Sequence, residues 1–398
     1  MKFLYVYALA TNLAGRDIGQ TLRKAGHECY EYPSVMMNPT CLNDDEMDAL
    51  TAYIHENNID YLISIHFILN VAFTAYRNQM KYIVILWDAP FSEVYNPLGK
   101  LDNIYISTFD KLDRQRFLDF GAKHVIYQPL SVNADSVEEW NVDIQETLHG
   151  NYFHDISFVG QLYEDNFYNN HLKEIPIDLQ YFFNSIFEEA AFKWDGINRI
   201  YGKTDKEIIE YIKICSPGFR IPNRWEMEDV QYFERMGLVR KIANIERVAI
   251  LNLLAEKYDV TLYTGNRDAA EKVLHNVNIS LPALAGKAVS LVYAGSRINL
   301  NIALKGIEQG TPQRIMDVMS AGGFVLSAYC PETAELFEED KEIVFFKTPE
   351  ELVEKIDYYF AHDNERRQIA RNGYEKVMNC YTYEKKMREL LEWVEKEA

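Results

Sequence analysis

Long apolar runs, an excess of basic residues and regularly spaced cysteines are all missing from this sequence. No segment approaches the roughly 20 consecutive apolar residues that a membrane-spanning helix needs, so no transmembrane segment is expected. The chain carries 41 Lys and Arg against 60 Asp and Glu, a net charge of −19. Proteins that bind nucleic acid or anionic membranes usually present a basic surface, so neither is expected as the main partner.

The five cysteines show no metal-binding spacing, which indicates reduced thiols in a cytoplasmic protein. The chain opens on MKFLYVYALATN, a short apolar stretch that continues into a polar loop, so a first core strand is expected and not a signal peptide. Also missing are the glycine series of a dinucleotide-binding loop, a Walker loop, a zinc signature and a nucleophile elbow. An NAD-dependent oxidoreductase is accordingly not expected.

The first 130 residues alternate short apolar runs with helical patterns, which is typical of a parallel sheet covered on both faces. In such sheets ligands bind beyond the carboxyl ends of the strands, so residues that directly follow a strand are candidates for the site. The predicted strands are Phe3–Ala8, Glu28–Tyr32, Tyr61–Ile65, Tyr82–Leu86, Asn103–Ser107 and His124–Tyr127, and the predicted helices are Asp17–Ala25, Asp44–Asn57, Val71–Asn78 and Lys111–Phe120.

A second α/β half begins at HDISFVGQ (154–161), where a strand is followed by Gly160. Gly160 lets the chain turn tightly against a ligand or a helix and is a candidate donor contact. Residues 161–236 carry aromatic and acidic helical patterns with few strand signals, which predicts a helical insertion. The α/β pattern then resumes and gives way to helices after Pro349. A chain of 398 residues is long enough for two domains, each with a core of its own. We therefore expect an α/β fold with two Rossmann-like domains, at residues 1–150 and 151–378, followed by a last helix at 379–398.

The stretch TPQRIMDVMSAGGFVLS (311–327) reads as a loop, a helix and a buried strand. A helix N-terminus presents free backbone N–H groups and a partial positive charge, so Gly310 and Thr311 suit a phosphate. Arg314 adds a guanidinium that can hold two phosphate oxygens. Asp317, one turn further on, is suited to accept hydrogen bonds from ribose hydroxyls. A diphosphate followed by a ribose is the geometry of a bound UDP-type donor.

This segment resembles the donor-binding signature of GT-B glycosyltransferases, in which two acidic residues with seven residues between them flank a loop. Asp317 stands at the second acidic position, but Gln309 stands at the first. The first acid contacts the transferred sugar in many retaining enzymes of this fold, so Gln309 departs from that mechanism.

A closer similarity is to spore-maturation and spore-crust glycosyltransferase-like proteins, which are bacterial. It rests on SRINLNIALKGIEQGTPQRIMDVMSAGGFVLS (296–327), PETAELFEED (331–340) and ERRQIARNGYEKV (365–377). The resemblance covers residues 155–398 and, more loosely, the first 150 residues through WDAP (87–90). It implies two Rossmann-like domains that face each other across a cleft, with a last helix that crosses back onto the first domain.

Further donor contacts are predicted at the ends of two strands. Thr264, Gly265 and Asn266 directly follow the predicted strand 260–263, where a base or phosphate would lie; an ordinary strand-to-helix turn is the alternative. Arg297 and Asn299 lie at the start of a strand that is expected beside the pocket.

The acceptor side is expected in the first domain. His66 and Asp88 each follow a predicted strand and are candidates for the general base that deprotonates an acceptor hydroxyl. A turn or cap is the alternative for Asp88, and a structural histidine is the alternative for His66. Asn12 and Arg16, in the loop after the first strand, are candidates for contacts with the acceptor or the leaving diphosphate.

Together these features predict transfer of a sugar from a nucleotide-diphosphate donor to an acceptor hydroxyl. No metal or other cofactor is expected, because a helix N-terminus and Arg314 can offset the charge of the departing diphosphate and no Asp-x-Asp motif occurs. Two alternatives stay open. One is a nucleotide-sugar epimerase on the same fold; the other, favoured by Gln309, is a non-catalytic nucleotide-sugar-binding module in the assembly of a surface or spore layer.

Overall fold

A computed structural model describes residues 1–8, 12–34, 42–172, 175–221, 226–282 and 286–397, without the side chains of residues 8 and 12–16. The chain divides into two compact units. The first comprises Met1–Ala134, Asn223–Met227 and Cys380–Ala398, and the second comprises Asp135–Pro222 and Glu228–Asn379. The sequence places the boundary at residue 150, whereas this division falls at residue 134.

The first unit holds a six-stranded parallel sheet in the order β2-β1-β3-β4-β5-β6. The inner strands are buried almost throughout, because helices cover both faces of the sheet. The strands are β1 Lys2–Ala8, β2 Glu28–Ser34, β3 Tyr61–Ile65, β4 Lys81–Ile85, β5 Ile104–Thr108 and β6 His124–Tyr127, and the helices between them are α1 Asn12–Lys24, α2 Asp44–Asn57, α3 Leu69–Arg77 and α4 Lys111–Phe120.

Local signals set the helix ends in this unit. The Asp110 side chain accepts hydrogen bonds from the backbone N–H groups of Leu112 and Asp113 and so caps the start of α4. Gly121 ends the same helix with a φ of 111°, a left-handed conformation that glycine adopts without steric cost.

The second unit holds another six-stranded parallel sheet, in the order β12-β11-β10-β7-β8-β9. Before the insertion come α5 Ala134–Leu148 and β7 His154–Val159. After it come α10 Val239–Ala255, β8 Val260–Tyr263, α11 Arg267–Val273, β9 Asn278–Ser280, α12 Lys287–Ala294, β10 Ser296–Asn301, α13 Gln313–Ser320, β11 Val325–Ala328, α14 Pro331–Leu336, β12 Val344–Phe346, α15 Pro349–Ala361 and α16 Asp363–Cys380.

The predicted helical insertion is present and has a core of its own. Its helices are α6 Phe167–His171, α7 Ile177–Ala190, α8 Lys206–Cys215 and α9 Asp229–Tyr232, and a π-helical turn at Phe233–Leu238 leads from α9 into α10. Edge-to-face rings fill the centre, with the Phe219 and Phe233 centroids 5.9 Å apart.

The last helix, α17 Tyr383–Lys396, packs in the first unit. Its buried residues Met387, Leu390 and Val394 join the cluster that contains Phe3 and Ile83 of the sheet. None of the helices in the described ranges combines the length and apolarity of a membrane-spanning segment. Two parallel sheets with flanking helices confirm the predicted α/β fold.

Candidate functional site

Arg314 lies at the carboxyl ends of the central strands of the second sheet, where the sequence predicts a phosphate contact. Its Nε donates to the carbonyl of Val159 at the end of β7 (2.8 Å), and its Nη1 donates to Oδ1 of Asn301 at the end of β10 (2.7 Å). The guanidinium carbon is 4.9 Å from the centroid of the Phe158 ring. Arg314 forms no ion pair with any described residue, and so no surface salt bridge to Glu308 or Asp317.

Asn301 orients this guanidinium. Its side chain is buried, accepts from Arg314 and donates from Nδ2 to Oγ of Ser327 (2.9 Å) on the neighbouring strand β11. Two hydrogen bonds fix the amide, and the amide in turn fixes one edge of the guanidinium. Nη2 of Arg314 has no hydrogen bond to a described residue and remains able to donate to a ligand.

Gly160 follows β7 and lies against Arg314. A Cβ atom built on Gly160 would stand 2.8 Å from Nη2 of Arg314, closer than non-bonded atoms approach. The absence of a side chain at residue 160 is therefore what lets Arg314 sit over the end of β7. Gly160, predicted as a donor contact, acts in this structure by leaving space for the guanidinium.

A second arginine, Arg247 of α10, lies on the same aromatic ring. Its guanidinium carbon is 5.2 Å from the Phe158 centroid and 4.9 Å from that of Tyr163. Nη1 donates to the carbonyl of Gln161 (2.5 Å), while Nε and Nη2 donate to the carbonyl of Ile302 (3.2 and 2.6 Å). Burial lowers the pKa of Arg247 to about 10, so it stays protonated at neutral pH.

The sequence offered a signal for this position. Arg247 is 2% exposed and shares a helix face with buried Ala243, Ile250 and Leu251, at the spacing of three and four residues that marks a buried stripe. A cation on that stripe needs internal acceptors, and the two carbonyls provide them.

The loop before α13 differs from its predicted use in one respect. Thr311 is 0% exposed, and its hydroxyl bonds the Glu332 carboxylate and the hydroxyl of Thr333 (3.0 Å). The predicted phosphate contact of Thr311 therefore cannot come from its hydroxyl. Gly310 is buried in the same loop, α13 begins at Gln313, and no side chain caps that end. An uncapped helix start retains the backbone dipole that favours an anion.

Lys305 and Glu246 anchor the segment that leads into this loop. Nζ of Lys305 is 3.2 Å from Oε1 of Glu246 and donates to the carbonyl of Lys193 (2.7 Å). The same Oε1 accepts from the backbone N–H of Phe192 (3.0 Å). Glu246 is 0% exposed, and burial raises its pKa.

Asp317 follows Arg314 on α13. Gln313 donates to its Oδ1 from Nε2 (2.7 Å). Neighbouring side chains bury the carboxyl group and remove water from it, which raises its pKa to about 6. Gln313 and Arg314 partly offset this shift. Asp317 is thus ionised at neutral pH and can accept a hydroxyl group, as the predicted ribose contact requires.

Thr264, Gly265 and Asn266 follow β8 at the same edge of the sheet. Asn266 caps α11 by accepting from the backbone N–H of Ala269 (3.4 Å), and Thr264 is buried. A Cβ atom on Gly265 would lie 3.3 Å from Nε2 of Gln161, so the turns after β7 and β8 approach each other. The turn has the strand-to-helix geometry of the alternative interpretation, and the donor contact stays a prediction.

Arg297 and Asn299 have structural partners in place of a donor. Arg297 lies at the amino end of β10, where Nη1 is 3.3 Å from Oδ1 of Asp155 and Nη2 donates to the carbonyl of Phe360 (3.2 Å). The buried amide of Asn299 donates to the carbonyls of Tyr293 and Phe324 (3.0 and 3.2 Å). Arg297 thus lies at the opposite strand end from Arg314, and the amide of Asn299 bonds inside the sheet. The donor contacts of Arg297 and Asn299 stay predictions.

His66 and Asp88 come together at the carboxyl edge of the first sheet, because β3 and β4, which precede them, are neighbours. Nε2 of His66 is 3.3 Å from Oδ2 of Asp88. The His66 ring stacks on Phe91 with 4.9 Å between centroids, and its Nδ1 is buried without a hydrogen-bond partner in the described ranges. The Asp88 side chain is 78% exposed against 20% for His66, so Asp88 is the member of the pair that a hydroxyl can reach.

The backbone at His66 is strained. Its φ is 62°, a left-handed conformation that costs a non-glycine residue of order 1–3 kcal/mol and is concentrated at functional sites. Hydrogen bonds hold it: the N–H of His66 donates to the carbonyl of Ile85 (2.9 Å), and its carbonyl accepts from Oγ of Ser64 (2.6 Å).

The predicted acceptor contacts Asn12 and Arg16 lie outside the described side chains, although the backbone of both belongs to α1. Within the described ranges no group of three or more His, Cys, Asp or Glu side chains has the arrangement of a metal site.

Comparison with known proteins gives a consistent fold. The model of the glycosyl transferase-like family matches residues 247–392, which include Arg247, Arg314 and Asp317. No curated protein sequence matches the chain. Three solved structures that span essentially the whole chain are similar to it, each with a TM-score of 0.57.

The first is a glycosyltransferase from Rickettsia africae, at 10% identity, with 100% of this chain and 98% of that chain covered. The second is HepE from Anabaena in complex with UDP-glucose, at 11% identity and with 100% of both chains covered. The third is sucrose-phosphate synthase from Thermosynechococcus elongatus, at 8% identity and with 100% of both chains covered. At such identities the likeness establishes the fold, which is the two-sheet α/β fold of GT-B glycosyltransferases.

Proposed function

We propose that this protein is a glycosyltransferase that moves a sugar from a nucleoside-diphosphate donor to an acceptor hydroxyl. The observation that carries the proposal is the pair of guanidinium groups, Arg314 and Arg247, on the Phe158 ring at the carboxyl ends of β7 and β10. Neither arginine has a carboxylate within ion-pair distance among the described residues. Two cations without an ion-pair partner, beside an uncapped helix start, form a site suited to a diphosphate.

The two arginines have different roles in this proposal. Arg314 donates from Nη2 to a diphosphate oxygen, because its other edge is held by Val159 and Asn301. Arg247 is buried and contributes its charge to the field at that oxygen. Fixed cations of this kind stabilise negative charge as it develops on the departing diphosphate, which is the chemistry that a metal ion supplies in other enzymes. We therefore propose a reaction that needs no metal or other cofactor.

The general base is proposed in the first unit. Asp88 accepts the proton of the acceptor hydroxyl as that oxygen attacks the anomeric carbon of the donor, and His66 holds the carboxylate through Nε2. Asp88 takes this role because it is the exposed member of the pair. Its partner is a positioning residue.

A UDP-sugar is the proposed donor. The GT-B fold of HepE accommodates UDP-glucose, and we propose that Asp317 accepts hydrogen bonds from the ribose hydroxyls of such a donor. We also propose, from the motifs at 296–327, 331–340 and 365–377, that the protein belongs to the bacterial spore-maturation branch and acts in the cytoplasm.

Gln309 supports a second candidate, a nucleotide-sugar-binding module without catalytic activity. An amide in place of the first acid of the donor signature removes a carboxylate from the sugar subsite. Such a module would bind the donor and leave it unchanged, whereas an epimerase would convert it without any acceptor.

Nucleotide binding followed by turnover tests the proposal. Thermal denaturation and calorimetry against UDP, GDP, dTDP and their sugar conjugates should show one preferred nucleotide, since a ligand at 100 times its Kd adds about 2.7 kcal/mol of stability. Arg314→Ala should abolish this shift and leave the free protein folded, with a modestly lower melting temperature because Val159 and Asn301 lose a hydrogen-bond donor. The matched control is Arg240→Ala, an exposed arginine on α10.

The outcomes separate the candidates. Binding with release of free nucleotide that depends on acceptor supports the transferase. Binding without any conversion supports the module, and conversion without acceptor supports the epimerase. Absence of binding across the whole panel, or equal loss in both variants, would refute the donor site.

A further inference from the structure

The second unit contains a cavity of about 400 Å³ at the amino ends of its strands, the opposite edge from Arg314. Its walls come from the end of α5, the first residue of β10, the turn after α13 and one face of α16. The volume lies in the range of about 300–1,000 Å³ that is usual for small-molecule pockets. Every lining residue belongs to the second unit.

Three arginines of α16 line this cavity: Arg366, Arg367 and Arg371. Arg366 is 1% exposed; its Nη1 donates to the carbonyl of Arg297 (2.7 Å) and its Nη2 to the hydroxyl of Tyr152 (3.2 Å). Its Nε is buried without a hydrogen-bond partner in the described ranges. Burying a guanidinium with a donor unpaired is costly unless the site gains something in return.

Arg366 and Arg367 share both a ring and a carboxylate. Each guanidinium carbon is 4.9 Å from the centroid of Tyr152. Nη2 of Arg366 and Nε of Arg367 (2.6 Å) both donate to Asp363. One carboxylate therefore serves two cations.

Arg371 adds a third charge without a counter-charge. It is exposed, lies one helical turn after Arg367 on the same face of α16, and forms no ion pair with a described residue. No Asp or Glu occurs among the lining residues of the cavity in the described ranges. The carboxyl ends of α5, α12 and α13 also line the cavity, and each contributes a partial negative charge that falls off within the last turn. A pocket with excess positive charge is notable in a chain whose net charge is −19.

We infer that this cavity, here called the α16 pocket, binds the phosphoryl group of a small molecule between Arg367 and Arg371. Both nitrogens Nη1 and Nη2 of Arg367 have no hydrogen bond to a described residue, since its bond to Asp363 uses Nε. A guanidinium offers two parallel donors that match two oxygens of a phosphoryl group, and a second cation one turn away reaches a third oxygen. Tyr374, which also lines the pocket, offers ring surface to the rest of the molecule.

This site is separate from the proposed donor site, so each can be tested without the other. The probes are inorganic phosphate, ribose 5-phosphate and, as the control without a phosphoryl group, ribose. Binding to the full chain is measured by isothermal titration calorimetry at 50 mM salt. The charge-reversing variant is Arg371→Glu, and its matched control is Arg388→Glu, an exposed arginine on α17 with no partner among the described residues. Arg371→Gln tests the loss of charge without reversal, and circular dichroism checks that each variant is folded.

We expect wild type and Arg388→Glu to bind phosphate and ribose 5-phosphate with the same affinity. Arg371→Glu should bind both at least tenfold more weakly, and ribose should not bind. Arg314→Ala should retain ribose 5-phosphate binding at the α16 pocket. Absence of saturable phosphate binding to wild type would overturn the inference. Equal affinity of Arg371→Glu and Arg388→Glu would overturn it as well, and so would loss of all phosphate binding in Arg314→Ala, because the anion would then occupy the donor site.

Discussion

Replacing Gly160 with alanine tests whether Arg314 must lie over the end of β7. The new Cβ atom would stand 2.8 Å from Nη2 of Arg314. To reach an ordinary non-bonded distance of about 3.5 Å, the guanidinium would have to move by about 0.7 Å. Its hydrogen bonds to Val159 and Asn301, at 2.8 and 2.7 Å, oppose that movement.

The atom that must move is the end of a flexible side chain, so the contact itself costs the fold little. The φ of 159° at Gly160, which a residue with a Cβ atom rarely adopts, adds backbone strain of order 1–3 kcal/mol. Binding of the donor should be weakened, because the displaced guanidinium loses its hydrogen bond to the diphosphate. A hydrogen bond to a charged group contributes about 1.5–3 kcal/mol, which corresponds to a roughly 10- to 150-fold weaker Kd when the bond is lost. We therefore expect Gly160→Ala to weaken UDP binding by that factor and to shift the melting temperature by no more than a few degrees.

Calorimetric titration of UDP into four proteins isolates the effect: wild type, Gly160→Ala, Arg314→Ala and the double variant. The alanine should cost affinity only when Arg314 is present, so the double variant should bind like Arg314→Ala alone. Gly202→Ala is the matched control, because its φ of 75° also strains an alanine, while no atom lies within 4 Å of a Cβ atom there. Additive losses in the double variant, or unchanged UDP affinity in Gly160→Ala, would refute the proposed steric link.

Three further predictions address the base, the pH dependence and the support of the loop. Asp88→Asn should keep UDP affinity within twofold and lower the rate of transfer by about 10²-fold or more, since a general base contributes about 10²–10⁴. Asp102→Asn serves as the control. Undiminished turnover in Asp88→Asn would eliminate Asp88 as the base. Burial raises the pKa of Asp317 to about 6 from 3.8. Between these pH values the native state therefore binds more protons than the unfolded state. The free energy of unfolding should fall as the pH rises from about 4 to 6. Melting temperatures from pH 4 to 7 should show that Asp317→Asn removes this contribution and weakens UDP binding, whereas parallel pH profiles would contradict it. Glu246→Ala leaves Lys305 without its buried partner and should lower the free energy of unfolding by about 3–5 kcal/mol in denaturant titration, and a loss below about 1 kcal/mol would show that the pair has no such role.

The sequence predicts the strands well because their signal is local. Each inner strand is an apolar run bounded by turn residues, and β3, β6 and β8 begin and end where the pattern places them. Helix α5 is missed because its buried residues Val137, Ile144 and Leu148 are widely spaced along an otherwise polar segment. A stripe that sparse gives little helical periodicity to detect.

Site residues depend on contacts that the pattern does not contain. The sequence predicts Arg314 from the helix start beside it, but the role of Asn301 depends on the register of β10 against β11, which pairs Asn301 with Ser327. Asn299 and Asn301 both alternate with apolar residues along β10, so the sequence does not distinguish them. Only the structure shows that the amide of Asn299 bonds inside the sheet, whereas that of Asn301 orients Arg314. The position of Arg297 at the amino end of β10 could not be predicted, because a strand pattern does not show which end of the strand faces the ligand.

The donor site and the α16 pocket share one electrostatic arrangement, in which two guanidinium groups contact a single aromatic ring. Arg314 and Arg247 lie on Phe158, and Arg366 and Arg367 lie on Tyr152. The ring offers each cation a favourable contact. Two positive charges on the same ring nevertheless repel each other unless an anion lies between them. In the α16 pocket Asp363 forms ion pairs with both arginines, whereas no carboxylate in the described ranges forms an ion pair with Arg314 or Arg247. The pair on Phe158 therefore gains more from an external anion, which is why the diphosphate is assigned there and the smaller phosphoryl group to the α16 pocket.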